Sequence, residues 1–170
     1  MSEREVSVHE QARPEGKPAA VVRAMWCDTT ERRLLRLGLA SRTPFPFSSY
    51  FVSADEEQFA FIEKRSGDPF MTIATENVRS IEVGETPISY VRFSFIGHGI
   101  GLAILLDVEG PNGPVVLPLL PFSDDGRKQL MLLDNTVSLL AERLSDASGV
   151  DYPGRPKHAH RSIPDWTLDV

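Results

Sequence analysis

Between Pro44 and Leu120 the chain alternates between short runs rich in β-branched and aromatic residues and breaks that carry turn-forming residues. The breaks recur about every eight to twelve residues, which is the spacing of short antiparallel strands. The pattern predicts seven strands, over residues 48–52, 58–62, 70–74, 78–83, 88–96, 102–109 and 115–120. A sheet therefore forms most of the predicted fold.

One long helix is predicted after the last of these strands. Its apolar residues recur at intervals of three and four, which places them on one helix face. Ser123, Asp124 or Asp125 is available as the N-cap, and Gly149 is suited to end the helix. We expect the apolar face to cover the sheet, with Leu133 and Val137 buried. That face comprises Leu130, Leu133, Val137, Leu140 and Leu144.

A shorter helix is predicted over about residues 29–37, ahead of the strands. Asp28 and Glu31 have the spacing of a weak capping box, and Gly38 supplies a stop. Residues 20–26, which precede this helix, are compatible with either a strand or a helix.

The 170 residues are enough for one domain with short extensions. The first 18 residues are polar, contain Pro and Gly, and are predicted to be a disordered arm. Residues 19–148 form the predicted globular domain, and residues 149–170 form an extended tail that contains proline. No export signal and no apolar run of about 20 residues is present, so we expect a cytoplasmic protein without a transmembrane segment.

The formal charge of −6 is distributed unevenly. Residues 41–147 carry eight basic and fifteen acidic side chains, a net −7, whereas residues 21–40 carry a net +2. An acidic body repels phosphate backbones, which argues against nucleic acid as a partner. The single cysteine, Cys27, excludes an internal disulfide framework and any metal site built from several cysteines.

The segment Gly97-His98-Gly99-Ile100-Gly101 has some likeness to a dinucleotide-binding loop. That fingerprint needs a glycine at position 102, which is Leu, and a helix directly after it. We therefore interpret the segment as a glycine-rich bend between two strands. His98 has no Ser, Cys or carboxylate partner at a recognisable spacing, so no catalytic residue, metal site or cofactor is predicted. A small enzyme with a pocket near His98 remains an alternative hypothesis.

Arg32 and Arg36 are four residues apart ahead of the strand-rich region. This Arg-x-x-x-Arg spacing resembles the first half of the cyclic-dinucleotide motif of PilZ domains, in which guanidinium groups grip phosphates. The second half fails, because Asn77-Val78-Arg79-Ser80 places its serine one residue late. Nucleotide binding through Arg32 and Arg36 is kept as a second hypothesis, and His98 is a further candidate ligand-binding residue.

The arrangement of predicted elements resembles the pleckstrin-homology-like superfold, and most closely its bacterial members. The resemblance covers about residues 44–147 and depends on Tyr50-Phe51-Val52-Ser53, Phe59 and the stretch from Val78 to Val83. It implies an α+β fold in which a bent sheet or partial barrel of about seven mostly antiparallel strands is capped by one C-terminal helix. It also implies a protein- or lipid-binding scaffold rather than an enzyme. Phosphoinositide-binding members have a basic lip between their first two strands. In the predicted order of strands, this chain has the acidic residues Asp55, Glu56 and Glu57 at that position. This departure from the family pattern argues against phosphoinositide binding.

The end of the tail has the alternation of a strand. Trp166, Leu168 and Val170 share one face, with Thr167 and Asp169 between them. We expect these three residues to dock on an exposed sheet edge of this chain or of a partner. The leading functional hypothesis is a non-catalytic binding or adaptor module, whose partner is another protein or a second copy of the chain.

Overall fold

The computed structural model describes residues 19–38, 49–92, 95–121 and 134–154. Seven strands and two α-helices lie within these residues, together with one 3-10 turn, Thr75–Asn77, between the fourth and fifth strands. In chain order the elements are β1 (Ala20–Met25), α1 (Asp28–Arg36), β2 (Ser49–Ala54), β3 (Gln58–Glu63), β4 (Pro69–Ala74), β5 (Val78–Arg92), β6 (Phe95–Gly110), β7 (Gly113–Pro121) and α2 (Asp134–Ser148).

The seven strands form one antiparallel sheet in the order β4-β3-β2-β1-β7-β6-β5. In a flat sheet of this order β4 and β5 would be about 29 Å apart, because neighbouring strands are about 4.8 Å apart. Ala74 and Val78, which end β4 and begin β5, are separated by only three residues. That link spans at most about 14 Å. The sheet must therefore curl until its two outer strands approach each other at this corner.

The prediction of an α+β fold with seven antiparallel strands and a C-terminal helix is confirmed. Three details of the prediction are wrong or incomplete. Residues 20–25 form the first strand, which the local sequence left undecided. The predicted fourth strand and most of the predicted fifth are one continuous strand, β5. The segment 97–101 is not a bend, because it lies inside β6 and pairs with residues 86–90 of β5.

One large core cluster contains buried side chains from all seven strands and both helices. Alternate residues of β2 point into this cluster, namely Tyr50, Val52 and Ala54. Residues 101–106 of β6 and 117–121 of β7 are buried on both faces of the sheet. Their other face contributes to a smaller cluster that consists of Met25, Cys27, Ala103, Leu105 and Leu120.

Helix α2 packs its apolar face against the sheet, as the spacing predicts. Val137, Leu140 and Leu144 are buried, and the helix contacts β1, β2, β5 and β6. Gly149 adopts a φ of 77° and its N–H donates to the Ser145 carbonyl, which ends the helix in the left-handed conformation that glycine favours. Leu130, Leu133 and the proposed N-cap residues lie outside the described residues.

The core continues past the predicted end of the globular domain at residue 148. Val150 is buried in the large cluster and Tyr152 packs against it. The Ile81 N–H of β5 donates to the Asp151 carbonyl at 2.9 Å. Residues 150–152 therefore dock along the outer edge of β5 instead of beginning a free tail.

Candidate partner-binding face on helix α1

Helix α1 is held against the sheet by its inner face. Leu34 and Leu37 are buried in the large core cluster, and the helix contacts β7 and β5. The Thr30 hydroxyl donates to the Pro118 carbonyl of β7 at 3.0 Å, which ties the first turn of the helix to the sheet. A Cβ at Gly110 would lie 2.8 Å from Leu37 Cδ2, so the last turn approaches the β6–β7 hairpin closely.

The opposite face of α1 carries an exposed apolar side chain between two exposed arginines. Leu35 is 59% exposed, and Arg32 and Arg36 are also exposed. Residues three and four apart are neighbours on a helix surface, so Arg32 lies beside both Leu35 and Arg36. We call these three residues the α1 outer face. An exposed leucine flanked by guanidinium groups is suited to a partner that offers apolar surface and carboxylates together.

A buried aromatic cluster lies under the start of α1. Trp26 and Phe70 each pack edge-on against Tyr50, and Phe61 stacks on the Tyr50 ring. Neither the Trp26 Nε1 atom nor the Tyr50 hydroxyl has a hydrogen-bond partner in the described structure. Cys27 Sγ and Thr30 Oγ1 are 3.2 Å apart beside them. Residues from the β1–α1 connection, α1, β2, β3 and β4 thus meet in one packed block, which supports α1.

The pKa of Tyr50 is raised above its ordinary value. Burial of the phenol is the main cause, and the Cys27 thiol adds to it, whereas the nearby Thr30 hydroxyl opposes the shift. The Thr30 hydroxyl donates to the Pro118 carbonyl, and the Tyr50 hydroxyl is not within hydrogen-bond geometry of it or of any other described group. Tyr50 is a neutral core residue in this environment.

His98 lies away from α1. Its position in β6 pairs with Ser89 of β5, in a two-stranded ribbon that extends beyond the last β6–β7 pair at Ile104. The first turn of α1 is tied to Pro118, which pairs with Leu105. His98 is seven residues from Leu105, about 23 Å of extended strand. The contacts of α1 therefore do not bring Arg32 and Arg36 to His98.

The glycines of the 97–101 segment have a different role from the one predicted. Because strand residues alternate between faces, Gly97, Gly99 and Gly101 share one face of β6. Their partners across the ribbon are Tyr90, Ile88 and Thr86. The alternation of glycines matches the period of a strand, so the predicted bend is wrong.

Arg79 lies within the segment 77–80 that was compared with the second half of the nucleotide motif, and carboxylates engage it. Arg79 at the start of β5 makes ion pairs with Asp107 and Glu109 of β6, at 3.5 and 3.2 Å. These carboxylates compete with any phosphate for the guanidinium group. The described structure therefore offers no support for a phosphate cradle at residues 77–80.

The predicted acidic lip does not lie between the first two strands. Asp55, Glu56 and Glu57 connect β2 to β3, because β1 precedes them in the chain. The connection between the first two strands is residues 26–48, which include α1 and its arginines. The sequence missed this because residues 20–26 gave no clear strand signal.

Other predicted site residues fall outside the described part of the chain, namely Trp166, Leu168 and Val170. Within the described residues, no group of three or more His, Cys, Asp or Glu side chains is placed to hold a metal ion. None of the described helices is long and apolar enough to cross a membrane. Comparison of the chain with protein-family models, with curated proteins and with solved structures found no match.

Sequence reasoning singled out Arg32 and Arg36 but not Leu35. In the sequence, Leu34, Leu35 and Leu37 form one apolar group. Only the orientation of the helix shows that Leu34 and Leu37 are buried while Leu35 is exposed. The available signal was the position of Leu35, three residues after Arg32, on the face that carries the arginines.

Proposed function

We propose that this protein is a non-catalytic binding or adaptor module and that it contacts a protein partner through the α1 outer face. The exposed Leu35 between Arg32 and Arg36 carries the proposal. Exposure of a leucine side chain to water is unfavourable in free energy, and a partner that covers the side chain removes this cost. Arginines are common in such protein contacts.

The overall architecture supports the same function. A curled antiparallel sheet covered by a C-terminal helix agrees with what the resemblance to pleckstrin-homology-like domains implies, and that superfold is largely a binding scaffold. The packed block beneath α1 is a further argument. A helix fixed by Leu34, Leu37 and Thr30 presents its outer face without a large loss of conformational entropy when a partner binds.

Nucleotide binding by Arg32 and Arg36 is the second candidate, and one observation favours it. Both arginine residues are exposed and lie about one helical turn apart on the same face. The leucine between them and the acidic ion-pair partners of Arg79 favour the protein partner instead.

The proposal is tested by recovering partners from the native cell with the tagged full-length chain, followed by a binding measurement on the recovered protein. Leu35→Asp should remove the partner, because a carboxylate at the centre of the contact would be desolvated and would attract the arginines away from it. Leu139→Asp on α2 is the matched control, because Leu139 is 58% exposed and Leu35 is 59% exposed. Leu139→Asp should leave binding unchanged.

Arg32→Ala and Arg36→Ala should each weaken binding and reduce its dependence on salt. Recovery of the same partner by wild type and Leu35→Asp, with both variants folded by circular dichroism, would contradict the proposal. Equal loss in Leu35→Asp and Leu139→Asp would show that the contact does not depend on α1.

A further inference from the structure

The two outermost strands of the sheet, β4 and β5, differ in what contacts their outer edges. The outer edge of β5 is engaged at Ile81 by the Asp151 carbonyl. Strand β4 ends the sheet on the other side, and no strand among the described residues pairs with its outer edge. An unpaired edge exposes backbone N–H and C=O groups that can accept a further strand.

An acidic corner lies at the C-terminal end of β4. It consists of Asp55, Glu56, Glu57 and Glu76, of which the three glutamates are exposed. The Thr75 N–H donates to the Glu57 carbonyl, and the Thr75 hydroxyl donates to the Asp55 carbonyl. These bonds fix the corner directly beyond Ala74, where β4 ends.

The C-terminal segment has the matching chemistry in the matching order. Arg155, Lys157 and Arg161 come first, followed by residues 163–170 with Trp166, Leu168 and Val170 at alternate positions. If the basic stretch lies at the acidic corner, the alternating segment begins at the C-terminal end of β4. It then runs antiparallel to β4, as every other neighbouring pair in the sheet does.

The reach of the chain allows this arrangement. Asp151 is bonded to Ile81, and the path from Ile81 through Val78 to Ala74 is at most about 24 Å. The twelve residues from Asp151 to Ile163 span up to about 40 Å when extended. The docked residues 150–152 thus start the tail on the side of the molecule where the two sheet edges approach each other.

We propose that residues 163–170 of this chain add to the outer edge of β4 as an eighth strand, guided by the acidic corner. The apolar residues of the added strand then lie on the same face of the sheet as the buried Met71 and Ile73; these are Trp166, Leu168 and Val170. The polar residues Thr167 and Asp169 lie on the opposite face, with the exposed Thr72. The added strand extends the core into the space between β4 and β5 and satisfies the backbone groups of the edge.

Hydrogen exchange of the full-length chain tests the proposal, with the β4 amides as the readout. The double substitution of Trp166→Ser with Leu168→Ser should make β4 amides exchange about tenfold faster, because the edge then opens locally. The double substitution of Thr167→Ser with Asp169→Ser changes the opposite face and should leave β4 exchange within about twofold of wild type. Amides of β1, in the centre of the sheet, report any global loss of stability.

A second pair of variants tests the guiding charges. Glu56→Lys with Glu57→Lys should speed β4 exchange and make it less sensitive to salt, whereas Glu142→Lys on the exposed face of α2 should not. Unchanged β4 exchange in the Trp166 and Leu168 variant would overturn the proposal. Equal effects of the two double substitutions, or faster exchange in β5 instead of β4, would also overturn it. Protection of β4 that is lost on dilution would overturn it too, because the added strand would then come from a second copy.

Discussion

Tyr50 lies in an environment that departs from ordinary protein chemistry. Its side chain is fully buried and its hydroxyl has no hydrogen-bond partner in the described structure. A buried hydroxyl without a partner loses its bonds to water and gains none, which costs about 1–3 kcal/mol. The aromatic packing with Trp26, Phe61 and Phe70 does not depend on the hydroxyl.

Tyr50→Phe should therefore stabilise the protein by about 1 kcal/mol at neutral pH, because it removes the unpartnered group and keeps the ring. Urea denaturation followed by circular dichroism measures the difference. A less stable Phe variant would show that the hydroxyl has a bonded partner, such as an internal water.

The difference should also grow with pH, because burial raises the pKa of Tyr50 in the folded state. The unfolded chain releases the Tyr50 proton near pH 10, whereas the folded chain keeps it, so the folded state of the wild type loses stability as pH rises above about 10. One proton corresponds to about 1.4 kcal/mol per pH unit. Tyr50→Phe lacks this loss, and parallel pH profiles of the two proteins would contradict it.

At the scale of elements, the two helices show the same division between a buried and an exposed face. Leu144 of α2 is fully buried, and Leu139 on the same helix is mostly exposed. Leu144→Ala should destabilise the protein by about 2–5 kcal/mol, because it leaves a cavity between helix and sheet. Leu139→Ala should change stability by no more than about 0.5 kcal/mol.

Thermal denaturation at several protein concentrations checks this prediction and also tests whether two copies associate through α2. If Leu144→Ala left the melting temperature unchanged but altered the oligomeric state, the leucine face of α2 would be a contact between copies and not a cover for the sheet.

The β5–β6 ribbon is an element that the local sequence pattern does not predict correctly. Residues 86–90 and 97–101 pair with each other beyond the region where β7 joins the sheet. Three alternate glycines suggest a flexible turn when they are considered alone. Cross-strand pairing with the continuous strand β5 holds them in an extended conformation.

At the scale of the whole molecule, the charge of the body governs which ligands can approach. Residues 41–147 carry a net −7, whereas residues 21–40 carry a net +2. We expect no binding of inositol phosphates or cyclic dinucleotides at micromolar concentration. This expectation depends on the acidic body and on the ion pairs of Arg79, since the position of Asp55 to Glu57 no longer supports it.

Isothermal titration calorimetry of the full-length chain with inositol hexakisphosphate and with a cyclic dinucleotide measures this directly. Micromolar affinity that is lost in Arg32→Ala or Arg36→Ala would contradict the expectation and would favour the nucleotide candidate. Binding that survives both substitutions would place the phosphate site elsewhere.

Local patterns in the sequence were sufficient to determine most of the elements. Residues 58–62 and 70–74 are strands because of their composition and flanking turns, and the 3-4 spacing of Val137, Leu140 and Leu144 selects a helix with one buried face. Gly38 and Gly149 end their helices with φ values of 65° and 77°, a conformation that most other residues avoid. These features depend on residues within a few positions of one another, so the sequence alone predicts them.

Contacts between distant residues decided the rest. Residues 20–25 are a strand because β2 and β7 pair with them, and the curl of the sheet follows from the short link between its two outermost strands. The burial of Leu34 and the exposure of Leu35 depend on where α1 lies against β7, to which Thr30 ties it over 88 positions of sequence. A one-residue difference in a local pattern cannot report which side of a helix meets a sheet formed elsewhere in the chain, and the candidate site is a property of that side.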